Sequence, residues 1–283
     1  MPMPDVRDTM ARIRELPTLP AVLAQVFATV ADPDASALDL GKHITADQSL
    51  SARLLKLVNS AHYGFYRQID NVTTAIVVLG FVEVRNLVLA ASAFRTLSSG
   101  RSQRARTELW RHALASAMAS ERVCKVCAIK MEESYVCGLL HDIGKVVLDA
   151  VQPEAFQLAA DRAREQHRLI RETEQDVFGI DHAEAGGILS EHWNLPPTVV
   201  QGIRLHHSTE SGERGSRQAD MAAVANYVAQ LSGVGSSGNG CPCPRPIQAC
   251  ARIGVDEQKE EQIGRELVDK ADRISEILGV LSH

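Results

Sequence analysis

The 283-residue sequence predicts an all-α protein, a bundle of many helices. Three observations predict it. Apolar residues recur at helical spacing in nearly every segment, and no stretch alternates apolar and polar residues as a half-buried strand does. Ser, Asn, Gly and Pro stand where helix caps and stops belong. Apolar residues make up 45% of the chain, enough for a sizeable core in one large domain or two small ones.

In "LPAVLAQVFATVAD", Val22, Leu23, Val26, Phe27 and Val30 fall on helical spacing. Ser36 is a plausible N-cap for "SALDLGKHITAD". In "DQSLSARLLKLVNSAHYG", Leu50, Leu54, Leu57 and Val58 share one face, and Gly64 follows its end. "NVTTAIVVLG" is short and β-branched and fits either state. Asn71 and Gly80 at its ends and helices on both sides decide for a helix. "FVEVRNLVLAASAFRTL" is a long apolar helix.

The polar break "SSGRSQRAR", residues 98–106, marks a subdomain boundary. The chain then divides into a lead-in (1–15), an N-terminal helical subdomain (16–100), a second subdomain (101–232) and a flexible Gly/Pro segment with a C-terminal helix (233–283). In the second subdomain, helices are predicted from about 105 to 128, through "GLLHDIGKVVL" and from about 153 to 167. "RETEQDVFG", "HAEAGGILSEHWN" and "PTVVQGIRLHH" follow, the last opening at Pro196-Pro197, where proline is tolerated. After "QADMAAVANYVAQL", the segment "SGVGSSGNGCPCPRP" looks least ordered. It leads to one terminal helix whose stripe is Ile263, Leu267, Ile274, Leu278 and Leu281. Packing on the body is the preferred use of that stripe, and a homodimer the other.

Net charge is −5 and aromatics are 4%, which argues against a nucleic-acid partner. No apolar stretch is long enough to cross a bilayer, and the N-terminus has no apolar signal region, so a cytoplasmic protein is expected. The six cysteines then read as reduced thiols. Cys124 and Cys127 form a CxxC without a second one at zinc-ribbon spacing, and Cys241, Cys243 and Cys250 are irregularly placed.

"GLLHDIGKVVL", residues 138–148, buries a question. His141 and Asp142 stand among Leu139, Leu140, Ile143, Val146, Val147 and Leu148. Such a helix is apolar nearly all round and belongs inside, where an unpaired charge is expensive. A cation would offset the carboxylate. Other residues can reach the same place. Glu108 and His112 share a helix face one turn apart, His182 begins a helix, and His206-His207 end one. This donor set suits Fe, Mn, Zn or Ni, and Asp142 could bridge two such divalent ions. Lys145 lies one turn beyond His141 and either meets an anion or escapes to solvent. His43, His62, His167, His192 and His283 are read as ordinary histidines.

The order of these residues resembles the HD superfamily of metal-dependent phosphohydrolases, and "HDIGK" is similar to the form in HD-GYP proteins, which degrade cyclic di-GMP. The resemblance implies an HD-like bundle with metal roles for Glu108, His112, His141, Asp142, His182, His206 and His207, and an anion role for Lys145. The final metal-binding Asp of that family corresponds to Asn226, which the resemblance makes a metal ligand through its neutral carbonyl oxygen with less charge to hold a dication; Asp220 lies six residues early, and no Gly-Tyr-Pro follows His207. "ELPTLPAVLAQV", "ITADQSLSARLLKLVNSAHYG" and "NVTTAIVVLGFVEVRNLVLA" resemble the HDOD domain of bacterial signalling proteins, over about residues 15 to 232. That implies a regulatory protein, non-catalytic or weakly catalytic, binding a signalling partner through its N-terminal helices and holding a metal with a nucleotide or phosphate ligand. The alternative is a metal-dependent phosphohydrolase with Asp142 and Lys145 as catalytic residues.

Overall fold

The computed structural model describes residues 5–16, 24–26, 29, 36–60, 63, 65–96, 103–208 and 216–281. These residues are helical with no strand among them, as the apolar spacing predicts. Most of the "LPAVLAQVFATVAD" helix, residues 98–102 of the polar break, Gly64, His62 and His283 lie outside them, while residues 103–106 of that break are already helical.

The chain forms two compact units that are interleaved in sequence: residues 1–18 with 99–270, and 19–98 with 271–283. The lead-in thus belongs with the second stretch of chain, and the end of the chain with the first.

In the smaller unit, α2 (Ala37–Ala46) starts at a capping box between Ser36 and Asp39. Asp47 closes α2 and caps α3 (Gln48–Val58) by accepting from Leu50 N at 3.0 Å. The predicted face Leu50, Leu54, Leu57 and Val58 is buried. Asn59 then pins the following loop, with both amide atoms 2.7 Å from the backbone of Ile69. The β-branched segment is helical: α4 (Val72–Leu79) is capped by Asn71 and stopped by Gly80 at φ 85°. It leads into α5 (Phe81–Thr96). The final helix, α16 (Ala271–Leu281), is tied here by Arg273 to Glu83 and by Arg53 to the Leu281 carbonyl.

The larger unit begins with α1 (Val6–Arg14) and resumes with α6 (Gln103–Val126), whose small residues Ser116, Ala117 and Ser120 let α7 (Ser134–Leu140) approach closely at Gly138. The His-Asp segment is not one helix. α7 ends at His141, and α8 (Ile143–Val151) starts after Asp142. α9 (Pro153–Gln166), α10 (Ile170–Phe178), α11 (His182–His192) and α12 (Pro197–Arg204) follow. α13 (Arg217–Ser232) is buried along most of its length and forms the centre. The Gly/Pro segment after it takes no helix but is held in place. Gly235 sits at φ 80° against the backbone of His112, Ser236 N donates to Glu108 O, and Gly240 N to Arg168 O. α14 (Ile247–Ile253) and α15 (Glu257–Asp269) complete the unit. The predicted terminal helix therefore breaks at Lys270, and its stripe is buried in two parts, Ile263 and Leu267 in one unit and Ile274, Leu278 and Leu281 in the other.

α8 and α11 touch backbone to backbone at Gly144, where an added Cβ would strike the His182 carbonyl and its neighbours. Gly144→Ala should lower stability by about 1–3 kcal/mol in urea unfolding, because backbone must move. Gly264→Ala, on α15 with open space around it, should instead leave stability unchanged or raise it by about 0.5–1 kcal/mol.

Candidate metal centre

Five elements of the larger unit bring the centre together. α6 supplies His112, the α7–α8 break His141 and Asp142, α8 Lys145, the first turn of α11 His182, and the turn after α12 His206 and His207. Breaking the helix at His141-Asp142 turns two adjacent side chains to the same place, which a continuous helix would not do. Asp181 caps α11 through Glu184 N, which starts that helix at His182.

The two Asp142 oxygens face different neighbours. Oδ1 lies 3.2 Å from His182 Nε2 and 3.9 Å from His206 Nε2. Oδ2 lies 3.3 Å from His141 Nε2, 3.7 Å from His112 Nε2 and 2.6 Å from Lys145 Nζ. His182 Nε2 is also 2.9 Å from His207 Nε2. Two groups of candidate ligands result among the described residues, His182 with His206 and His207, and His112 with His141 and Asp142.

His141, Asp142, Lys145, His182 and His206 are buried and His207 is half-buried. Lys145 does not escape to solvent, being 2% exposed with its ammonium on Asp142. Asn226, on α13, presents Oδ1 to His112 Nε2 at 3.0 Å. Asp220 is engaged elsewhere, in a two-point pair with Arg252. Glu108 is not drawn into the cluster. Its carboxylate is 3.6 Å from Arg111, and it lines a cavity of about 450 Å³ that also reaches Lys145, Arg164 and Phe156. No disulfide joins cysteines among the described residues, and none of them joins either ligand group.

Sequence reasoning missed Glu174. It is fully buried on α10, accepting from His182 N at 2.9 Å and lying 2.5 Å from His182 Nδ1. A carboxylate behind a ligand histidine fixes the ring and its basicity. Only the turn at Gly179 brings it there, so no spacing in the sequence announces it.

The donors fit a cation. His141 Nδ1 donates to Gly138 O at 2.8 Å and His206 Nδ1 to Ile203 O at 2.6 Å, which leaves both Nε2 lone pairs facing inward. These two nitrogens and Asp142 Oδ1 are buried with no hydrogen-bond partner. Unpaired buried acceptors around a carboxylate are costly unless a positive charge joins them.

Electrostatics follow burial first. Burial pushes His112 down to about 3 and, with neighbouring histidines, holds His206 and His207 well below their ordinary value. Burial would raise Asp142, but His141 and Lys145 hold it well below the carboxylate range. Burial would lower His182, but Glu174 lifts it to about 9.

The family model of the HDOD domain matches residues 16–209. The chain belongs to the HDOD domain family. An uncharacterized protein of Treponema pallidum (strain Nichols) is 32% identical over 203 residues, 70% of this chain. The match spans 38% of that relative's length. An HDOD domain protein of unknown function from Geobacter sulfurreducens shares the fold at TM-score 0.80, with 24% identity over 97% of this chain and 95% of its own. A phosphohydrolase candidate from Shewanella amazonensis SB2B does so at TM-score 0.74, with 23% identity over 97% of this chain and 98% of its own. No helix among the described residues is long and apolar enough to cross a membrane.

Two expectations follow. Glu174→Gln should weaken divalent-metal binding about 10–100-fold in a titration calorimeter while leaving the fold intact. The chelated protein should also be most stable near about pH 6.5–7. His112, His206 and His207 are depressed, so only the unfolded chain takes up their protons below about 6.5, and stability falls with pH from there. His182 is raised, so its contribution is complete below about 6.5 and lost as pH climbs through about 9. Urea unfolding across this range checks both limbs, and His112→Gln should make the acid limb shallower.

Proposed function

We propose that this HDOD protein is a signalling regulator whose HD-type centre holds a divalent metal and is at most weakly catalytic. The observation that carries the reading is the Lys145–Asp142 contact at 2.6 Å. Asp142 is the carboxylate best placed to bridge two ions, and the chain's own ammonium already occupies one of its oxygens. Asn226, at the position of the family's final Asp, brings no further negative charge.

A bound divalent ion would activate water and draw charge from phosphoryl oxygens. Around it the chain does the rest. His182, His206 and His207 would hold it with Asp142, and Glu174 orients His182. The buried helices exclude bulk water from this carboxylate, which strengthens every charge interaction there. The cavity beside Lys145 offers Arg164 to an anion, with Glu108 and Asp149 also on its wall, and Phe156 to a flat apolar group, features a nucleotide or other phosphate compound could use. A ligand there can alter conformation only by binding one state better than another.

The smaller unit supports a protein partner. Val77, Val78 and Val82 are exposed on α4 and α5 and would supply apolar side chains to such a surface. The second reading, a metal-dependent phosphohydrolase with Asp142 and Lys145 as catalytic residues, is favoured by the cavity lying next to the ligand cluster.

Metal content of untagged protein, beside Asp142→Ala, tests the common premise. Bound Fe, Mn, Zn or Ni is expected in the wild type and should be lost in the variant, together with the thermal stabilisation that bound ligand confers. No metal, even after refilling, would overturn both readings. Turnover of bis(p-nitrophenyl) phosphate should be slow or absent. Rapid turnover that disappears in Asp142→Ala would favour the hydrolase.

A further inference from the structure

We infer that the centre takes one divalent ion, on the side of Asp142 that faces His182, His206 and His207, and that the chain's own side chains close the other side. The inference rests on the metal-holding reading above and sets its stoichiometry and place.

The closed side is read from a chain of hydrogen bonds. Amide nitrogen and oxygen are hard to tell apart by shape, and so are histidine tautomers, so each needs an unambiguous neighbour. A backbone N–H provides one. Ile170 N donates to Asn239 Oδ1 at 3.0 Å, which makes that atom an oxygen and turns Nδ2 the other way. Asn239 Nδ2 donates to Gln230 Oε1 at 3.3 Å. Gln230 Nε2 then donates to Asn226 Oδ1 at 2.6 Å. That oxygen also meets His112 Nε2 at 3.0 Å, and an oxygen needs a donor, so the proton is on Nε2.

The consequence is chemical. Nε2 is the His112 nitrogen that lies 3.7 Å from Asp142 Oδ2, and a protonated nitrogen has no lone pair for a metal. The lone pair is on Nδ1, which is buried without a hydrogen-bond partner. On the same side Lys145 Nζ sits 2.6 Å from Oδ2. A cation here would have to displace an ammonium, reverse a tautomer and disturb three amides. Asn226 adds no charge to help, where an Asp would.

The open side carries no ammonium and no chain of amides, and an ion there would displace only the proton between His182 Nε2 and His207 Nε2. Asp142 Oδ1 and His206 Nε2 have no partner. His182 Nε2 lies 3.2 Å from Oδ1 and 2.9 Å from His207 Nε2, spacings that neighbouring ligands of one ion adopt when each is about 2.0–2.2 Å from it. Glu174 holds His182 from behind. His141 Nε2 also has no partner and lies 3.3 Å from Oδ2, while its ring is 5.3 Å from that of His112 and 5.2 Å from that of His206, so it is the one free ligand atom on the closed side. Asn226, Gln230 and Asn239 are positioning residues in this scheme, acting through the His112 tautomer.

The experiment loads the full chain with Mn(II), counts metal by elemental analysis and records its electron paramagnetic resonance spectrum. One equivalent with the spectrum of an isolated ion is expected. His206→Ala should weaken Mn(II) binding about tenfold or more, and His112→Gln, which can still donate to Asn226, should leave it unchanged. Asn226→Asp combined with Lys145→Met should open the closed side and bring two equivalents with a spin-coupled spectrum. Circular dichroism confirms that each variant is folded, and His206→Gln replaces His206→Ala if the latter is not. Two equivalents in the wild type, or one that His112→Gln removes and His206→Ala spares, would overturn this inference alone. Absence of metal from every variant would overturn it together with the metal-holding reading.

Discussion

Asp142 is a carboxylate with almost no access to water, and the site is organised around that constraint. An ionised carboxylate cannot be buried without compensation. Here the compensation comes from Lys145 on one oxygen and from His182, raised by Glu174, near the other. The helix break at His141-Asp142, the glycine contact between α8 and α11, and the burial of Lys145 all follow from holding this group where several helices meet. Remove the carboxylate and the histidine lone pairs have nothing to share.

Histidine tautomers carry as much of the chemistry as histidine positions. Two backbone carbonyls, Gly138 O and Ile203 O, put the Nδ1 protons of His141 and His206 outward and free the inner nitrogens. Glu174 does the same for His182 with a charge in place of a dipole. Asn226 has the opposite effect on His112. Rings that look equivalent in the sequence are thus set to different roles by atoms behind them.

The interleaving of the two units explains why linear boundaries fall short. The two units part at residues 98–99 and again at 270–271. One apolar stripe serves two cores, because the spacing of Ile263, Leu267, Ile274, Leu278 and Leu281 is the same whether or not the backbone bends between them. The Gly/Pro segment is likewise misread by composition. Its glycines allow the close approach of Gly235 to α6, which places Ser236 and Asn239 beside the cavity.

The sequence by itself determined the helical character of most segments, several of their caps and the histidines and aspartate that meet in the cluster. Periodicity and caps are local properties, so Ser36, Asn71 and Pro197 do in the structure what their positions predict. The order of His112, His141-Asp142, His182 and His206-His207 identifies a set of donors, because few other uses place so many imidazoles beside a buried carboxylate. Tertiary structure alone decided what faces what. It left Glu108 at the cavity instead of the cluster, turned Lys145 inward, brought Glu174 behind His182 and linked Asn226 to Asn239 through Gln230. The physical reason is range. A helix face is legible from residues three or four apart, but a buried charge is balanced by whichever groups the packing of distant helices delivers, and no spacing in the chain records them.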